Sequence, residues 1–243
     1  MPADPVKRPS QNKAPATRSD EVEAFLAEVH ARPPVESAGR GRLVFGLDAT
    51  MSRQPTWDLA CSLQAQMFDV AAGVGGLDVQ LVYYRGIGEC RASAWASDAR
   101  RLGTLMSAID CRGGQTQIGR VLGHVGKEAA SGRVGALVFV GDACEEAIDD
   151  LCARAGAMAL RGVPAFMFQE GADPVAERAF REVAKLTKGA WCRFDAGAAS
   201  QLASLLRAVA AYAAGGQQAL TALARSASEQ GATRLLAAMR SGG

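Results

Sequence analysis

Five oxygen donors in three short segments are the residues of this chain best suited to chemistry. Asp48, Thr50 and Ser52 alternate with Ala49 and Met51 in LVFGLDATMS, Thr116 lies in GGQTQIG (113–119), and Asp142 lies in ALVFVGDACEE. Two carboxylates and three hydroxyls are all hard ligands, with no imidazole or thiolate among them. Such a set suits Mg²⁺, Mn²⁺ or Ca²⁺ and suits zinc or copper poorly. Asp48 and Asp142 each follow an apolar run of strand length, and the glycine pair ahead of Thr116 allows a tight loop before a helix opening near Ile118. In an open parallel sheet, ligands bind beyond the carboxyl ends of the strands, which is where these side chains emerge. Taken singly, each aspartate reads as the cap of a following helix. Taken together, with Thr116 between them, they read as one cation site.

Elements that would hold these loops are legible from Arg42 onward. Apolar runs at 43–47, 79–84, 136–140 and 163–168 predict central strands, and shorter runs at 91–95 and 190–194 predict two more. Stretches of helical period at 56–71, 98–109, 118–130, 146–160, 174–186 and 198–213 lie between them. This alternation predicts an α/β fold in three layers, a doubly wound, mostly parallel six-stranded sheet flanked by helices. The expected organisation is a disordered basic tail and short helix with a linker over 1–41, the sheet domain over 42–213, and a helical tail over 214–243. Gly215 and Gly216 mark the last boundary, and a break is expected near Gly231. That tail either packs back on the domain or serves as a docking helix.

At this point the three segments resemble the metal-ion-dependent adhesion site of von Willebrand factor type A domains. That pattern is D-x-S-x-S after the first strand, a Thr in a Gly-Gly-x-Thr loop, and an Asp after the fourth strand. Asp48, Thr50, Ser52, Thr116 and Asp142 match it in order, with Thr50 where Ser is usual and Ala143 where Gly commonly follows the last Asp. The resemblance covers about 42–212 and implies one antiparallel edge strand near 91–95. It also implies a divalent cation, most simply Mg²⁺, whose open coordination position takes a Glu or Asp from a partner protein. The implied function is metal-dependent protein interaction, as an adaptor or assembly factor, and not catalysis.

Two other readings stand beside it. A strand ending in Asp is also the start of haloacid-dehalogenase-like phosphatases, with Asp48 as nucleophile. Their D-x-D, however, needs a second carboxylate where this chain has Thr50. The other reading is a degenerate domain that binds partners without metal. No G-x-G-x-x-G or P-loop follows the first strand, and His30 and His124 fall outside the three loops as surface or packing residues. Glu145, Glu146, Asp149 and Asp150 read as the dipole-favoured first turn of a helix, or as a cation-attracting rim. Arg53 and Trp57, beside the first loop, would suit a protein-facing rim, although Trp57 fits a core equally well.

Composition narrows the class. The 243 residues carry 27 Lys and Arg against 25 Asp and Glu, and a net charge of +2 gives no broad field to draw in nucleic acid or anionic lipid. Six scattered cysteines, with no C-x-x-C pair, predict reduced thiols and no structural zinc. No apolar run reaches membrane-spanning length and the basic N-terminus lacks an apolar segment after it. These features predict a cytoplasmic, bacterial-type protein with no membrane or nucleic-acid partner, and they leave its oligomeric state open.

Overall fold

β1 (Gly41–Asp48) is buried along almost its whole length, as a continuous apolar strand must be when helices cover both faces of its sheet. The computed structural model describes residues 40–195, 198–226 and 229–241. These belong to a compact unit running from Ser37 to Gly243; the expected N-terminal tail and short helix lie outside the described residues. β2 (Leu77–Arg85) and β4 (Ala136–Gly141) pair with β1 on either side, both parallel. β5 (Ala165–Glu170) and β6 (Ala190–Phe194) extend the sheet in parallel beyond β4. β3 (Glu89–Ala92) turns back antiparallel on β2, giving the order β3-β2-β1-β4-β5-β6.

The mostly parallel six-stranded sheet with an antiparallel edge is therefore the one expected, with two strands displaced. The edge strand covers Glu89–Ala92 and not 91–95, because beyond Ser93 only an isolated bridge from Ala96 to Val79 continues it. β5 starts after Pro164, which has no N–H to give to the ladder, and runs two residues past the apolar stretch to Glu170.

Helices cover the two faces unequally. α1 (Gln54–Leu63), α2 (Ala65–Ala72), α3 (Ala99–Ser107), α7 (Ala199–Ala224) and α8 (Gln230–Arg240) bury Trp57, Met67, Leu102, Leu206 and Leu235 against Leu43, Phe45 and Leu47 of β1. α4 (Ile118–Ser131), α5 (Ile148–Ala159) and α6 (Pro174–Leu186) pack Val121, Leu151 and Phe180 on the other face, with Val44 and Phe139. The expected helix at 56–71 is two helices joined at Gln64. α7 breaks at Gly215 and Gly216, the latter at φ 65° and ψ −161°, a backbone region that only glycine enters without strain.

The stretch after Gly216 packs back on this unit: Leu220, Ala232, Leu235 and Leu236 are buried in the same core. Its interruption falls between Ala224 and Gln230, just ahead of Gly231. Gly231 brings α8 close against α7. Its N–H donates to Ser204 Oγ at 2.7 Å, and a Cβ there would lie 2.4 Å from the Ser204 backbone. Gly231→Ala is therefore expected to push α8 off α7 and destabilise the fold by about 1–3 kcal/mol, read as a lower urea midpoint. An unchanged midpoint would show that α8 contributes nothing to the cooperative unit.

Candidate functional site

Each of the expected donors sits at the carboxyl end of the sheet. Asp48 is the last residue of β1, 2% exposed, and its Oδ1 accepts the Thr50 N–H at 2.8 Å, which curls the chain into a tight turn. That turn brings Thr50 Oγ1 to 3.3 Å from Ser52 Oγ. Thr50 is buried, Ser52 is exposed, and Met51 between them is 61% exposed.

Thr116 is held from two directions. Its loop is tied to the first by the Arg112 N–H, which donates to Ala49 O at 3.0 Å, and to the β2–β3 turn by the Gln115 N–H, which donates to Gly86 O at 3.4 Å. Toward the loop after β4, Thr116 N–H donates to Glu145 Oε2 at 3.0 Å and Thr116 Oγ1 accepts the Glu145 N–H at 2.9 Å. Glu146 reaches from the same loop to accept the N–H groups of Ile118 and, at 2.9 Å, Gly119. Gln117, at the N-cap of α4, makes no side-chain cap of its own, so Glu145 and Glu146 satisfy these otherwise unpaired donors. The acidic run is thus divided: Asp149 and Asp150 lie in the first turn of α5 as expected, whereas Glu145 and Glu146 serve the start of α4.

Neither aspartate is occupied as a helix cap. Thr50 and Ala147 hold the positions ahead of the next helical turns, and among the described residues Asp142 pairs with Arg53 Nη1, at 3.5 Å. Burial raises the Asp48 pKa above the ordinary carboxylate range, and the nearby Asp142 charge adds to this; the Thr50 N–H, the Thr50 hydroxyl and the Tyr84 hydroxyl oppose it. Tyr84 stands opposite Asp48 in the β1–β2 register, fully buried, with its hydroxyl toward the Asp48 carboxylate. Burial foremost, then the Asp48 charge, push the Tyr84 pKa well up. Burial likewise raises the Cys111 thiol to about 11, so this neighbour is a protonated thiol at neutral pH.

Arg53 and Glu170 complete the site in a way that the sequence did not disclose. Glu170 ends β5, 8% exposed; it accepts the Thr56 hydroxyl and pairs with Arg53, itself 4% exposed. Arg53 is therefore an internal cation between Glu170 and Asp142, and its Nε and Nη2 have no partner among the described residues. The protein-facing rim expected of Arg53 and Trp57 is not formed. Arg53 is drawn inward by the two carboxylates, and Trp57 packs edge-on against Tyr83 at 6.1 Å in the core.

Among the described residues, no three His, Cys, Asp or Glu side chains gather as a metal cluster. The oxygen set at the strand ends is two aspartates and three hydroxyls, and it fits a hard divalent cation: a buried carboxylate and a second one free of capping duty.

No protein-family model matches the sequence, and no curated protein does. Solved structures share the fold at low identity. The VWA domain of SpRpn10 aligns with a TM-score of 0.54 at 13% identity, over 70% of this chain and 95% of that one. An aerotolerance-related membrane protein from Bacteroides fragilis aligns at 0.50 and 16%, over 83% and 99%. Proximal thread matrix protein 1 of the mussel byssus, with zinc in its MIDAS motif, aligns at 0.56 and 18%, over 74% of this chain but only 49% of that one. Together with the strand order and the antiparallel edge strand, these likenesses establish that the chain has the von Willebrand factor type A fold.

Proposed function

We propose that the chain is a metal-dependent protein-interaction module in which Asp48, Thr50, Ser52, Thr116 and Asp142 hold one divalent cation, Mg²⁺ in the first instance. The observation that carries this reading is the pair Asp48 and Asp142. Two carboxylates at adjacent strand ends repel each other, neither caps a helix, and one of them is buried. A bound cation would supply the missing positive charge and an open position for a Glu or Asp of a partner protein. The chain's own share is to fix the donors: the Thr50 turn orients Asp48, and Glu145 clamps Thr116 through both its N–H and its hydroxyl. Exposed Met51 gives the partner an apolar contact beside the site. A cytoplasmic setting is part of the proposal, because a reducing compartment keeps all six cysteines as thiols, the state in which they stand here.

Thermal unfolding with and without Mg²⁺ tests the site. The wild type is expected to gain stability as Mg²⁺ exceeds its Kd, by about 2.7 kcal/mol at a hundredfold excess, and Asp142→Ala to gain none. Without metal, Asp142→Ala should match or slightly exceed the wild type, since it relieves repulsion on Asp48. Partner capture should be lost in chelator. If wild type and Asp142→Ala respond alike to Mg²⁺ and capture the same partners in chelator, the metal-free reading replaces this one. Arg53, 3.5 Å from Asp142, is the observation favouring that second reading, because it already provides a cation there. The phosphatase reading lacks a general acid: position 50 is a threonine whose hydroxyl lies on Ser52. Turnover of a generic phosphate ester with Mg²⁺ would revive it.

A further inference from the structure

The face of α4 that overhangs the edge of the sheet is basic where a packed helix would be apolar. Arg120, Gly123, His124 and Lys127 fall at i, i+3, i+4 and i+7, a single helical stripe. β3, the strand beneath them, has four residues, so the sheet ends before covering the stripe. Between α4 and the side chains of β2 and β3 lies a cleft of about 290 Å³, ringed by Arg91, Arg120, His124, Lys127 and Arg154, with no carboxylate in its lining.

Arg154 reaches the cleft from α5 by crossing α4. Its guanidinium passes over Gly119 and Gly123, where a Cβ would lie 3.2 Å from Nε and 3.0 Å from Nη1. Two glycines one turn apart thus form the groove that admits it. Among the described residues, the side chains of Arg154 and Lys127 have no hydrogen-bond or ion-pair partner. Arg120 is aimed by the Gly88 carbonyl and Arg91 by Glu89, while His124 is engaged by Gln80 Oε1 at 2.8 Å. The acids nearby are already engaged: Glu89 between Arg85 and Arg91, Glu146 on the start of α4, and Glu128 beside His124 at 3.8 Å.

We propose that this cleft binds a small polyphosphate anion. Two aimed guanidiniums, an unpaired guanidinium and an unpaired ammonium converge on one concavity. Guanidinium forks match phosphate oxygens two at a time. The volume sits at the lower end of small-molecule sites, which begin near ~300 Å³, so the anion itself fills it. No Phe, Tyr or Trp lines the cleft to stack a base, and the His124 ring is tied to Gln80, which places recognition on the phosphate chain. The cleft shares no residue with the five donors of the metal site, and the inference is independent of that reading.

Calorimetric titration of the full chain with pyrophosphate and with tripolyphosphate, without divalent cations and at about 0.15 M NaCl, tests it. Saturable one-to-one binding is expected, accompanied by a rise in Tm. Arg154→Ala and Lys127→Ala should each weaken binding by about tenfold, and Arg154→Lys less. Gly123→Val should weaken it comparably while keeping every charge, because it closes the groove through which Arg154 reaches in. Circular dichroism establishes that each variant is folded. Equal titrations for wild type and Arg154→Ala, or the same Tm rise from sulfate or NaCl at matched ionic strength, would overturn the proposal. So would binding of a poly-glutamate peptide that pyrophosphate fails to displace, which would assign the cleft to an acidic protein segment.

Discussion

Replacing Glu170 by alanine is expected to cost about 3–5 kcal/mol of folding stability, the largest effect of any single surface-distant polar change in this chain. Arg53 is 4% exposed and its closest ion pair is with Glu170. Its contact with Asp142 is longer, at 3.5 Å, and Asp142 is partly open to solvent. Without Glu170, the guanidinium stays buried with two of its three nitrogens already unpartnered and only a weak partner for the third. The Thr56 hydroxyl loses its acceptor in the same step. Glu170→Gln keeps an acceptor for both groups and should lose markedly less. The double change Arg53→Met with Glu170→Leu removes both charges and fills similar volume, so it should recover most of the stability. Denaturant unfolding of the four proteins measures this cycle. If Glu170→Ala and the double variant were equally unstable, the loss would come from packing at the end of β5 and not from the stranded charge.

That pair also shows where the sequence stops being legible. The strand-end rule found Asp48 and Asp142 because each follows an unbroken apolar run. Applied to β5, the same rule points to Gln169 and Glu170, directly after the apolar run 163–168. Both are buried, and β5 carries them because β4 and β6 pair with it on either side through Gln169. Arg53 was misplaced for a related reason. A lone cation beside a loop is ordinarily exposed, and its burial makes sense only once a carboxylate far along the chain is known to end beside it. Glu145 and Glu146 directly precede α5 in sequence, so local reasoning gave them to its first turn. Their N–H partners lie in the Thr116 loop and the first turn of α4, which only the packing of the two loops brings near. By contrast, the alternation of strands and helices, the helix faces and the polar residues at the strand ends follow from patterns local enough to read directly: apolar run, polar end, helical period.

Arg53→Met is expected to tighten Mg²⁺ binding by about tenfold or more, with the sign opposite to its effect on the metal-free fold. In the proposed site, Arg53 and the cation both draw on the Asp142 carboxylate, and a guanidinium 3.5 Å away lowers the negative potential that a dication would feel. Methionine keeps much of the side chain's length without the charge. Metal-free, the variant should be less stable than the wild type, because Glu170 is left buried with only the Thr56 hydroxyl. Under saturating Mg²⁺ it should regain more than the wild type does, since each tenfold in affinity adds about 1.4 kcal/mol to the stabilisation by ligand. The two effects are separable by titrating Mg²⁺ calorimetrically and by following Tm over the same concentrations. Arg53→Lys serves as the comparison: it retains a charge but not the planar fork, and should bind Mg²⁺ less tightly than Arg53→Met. Adding Asp142→Ala to Arg53→Met should abolish the gain. An Mg²⁺ affinity for Arg53→Met equal to that of the wild type would mean that Arg53 and the metal do not share Asp142, and a gain surviving Asp142→Ala would place the cation elsewhere.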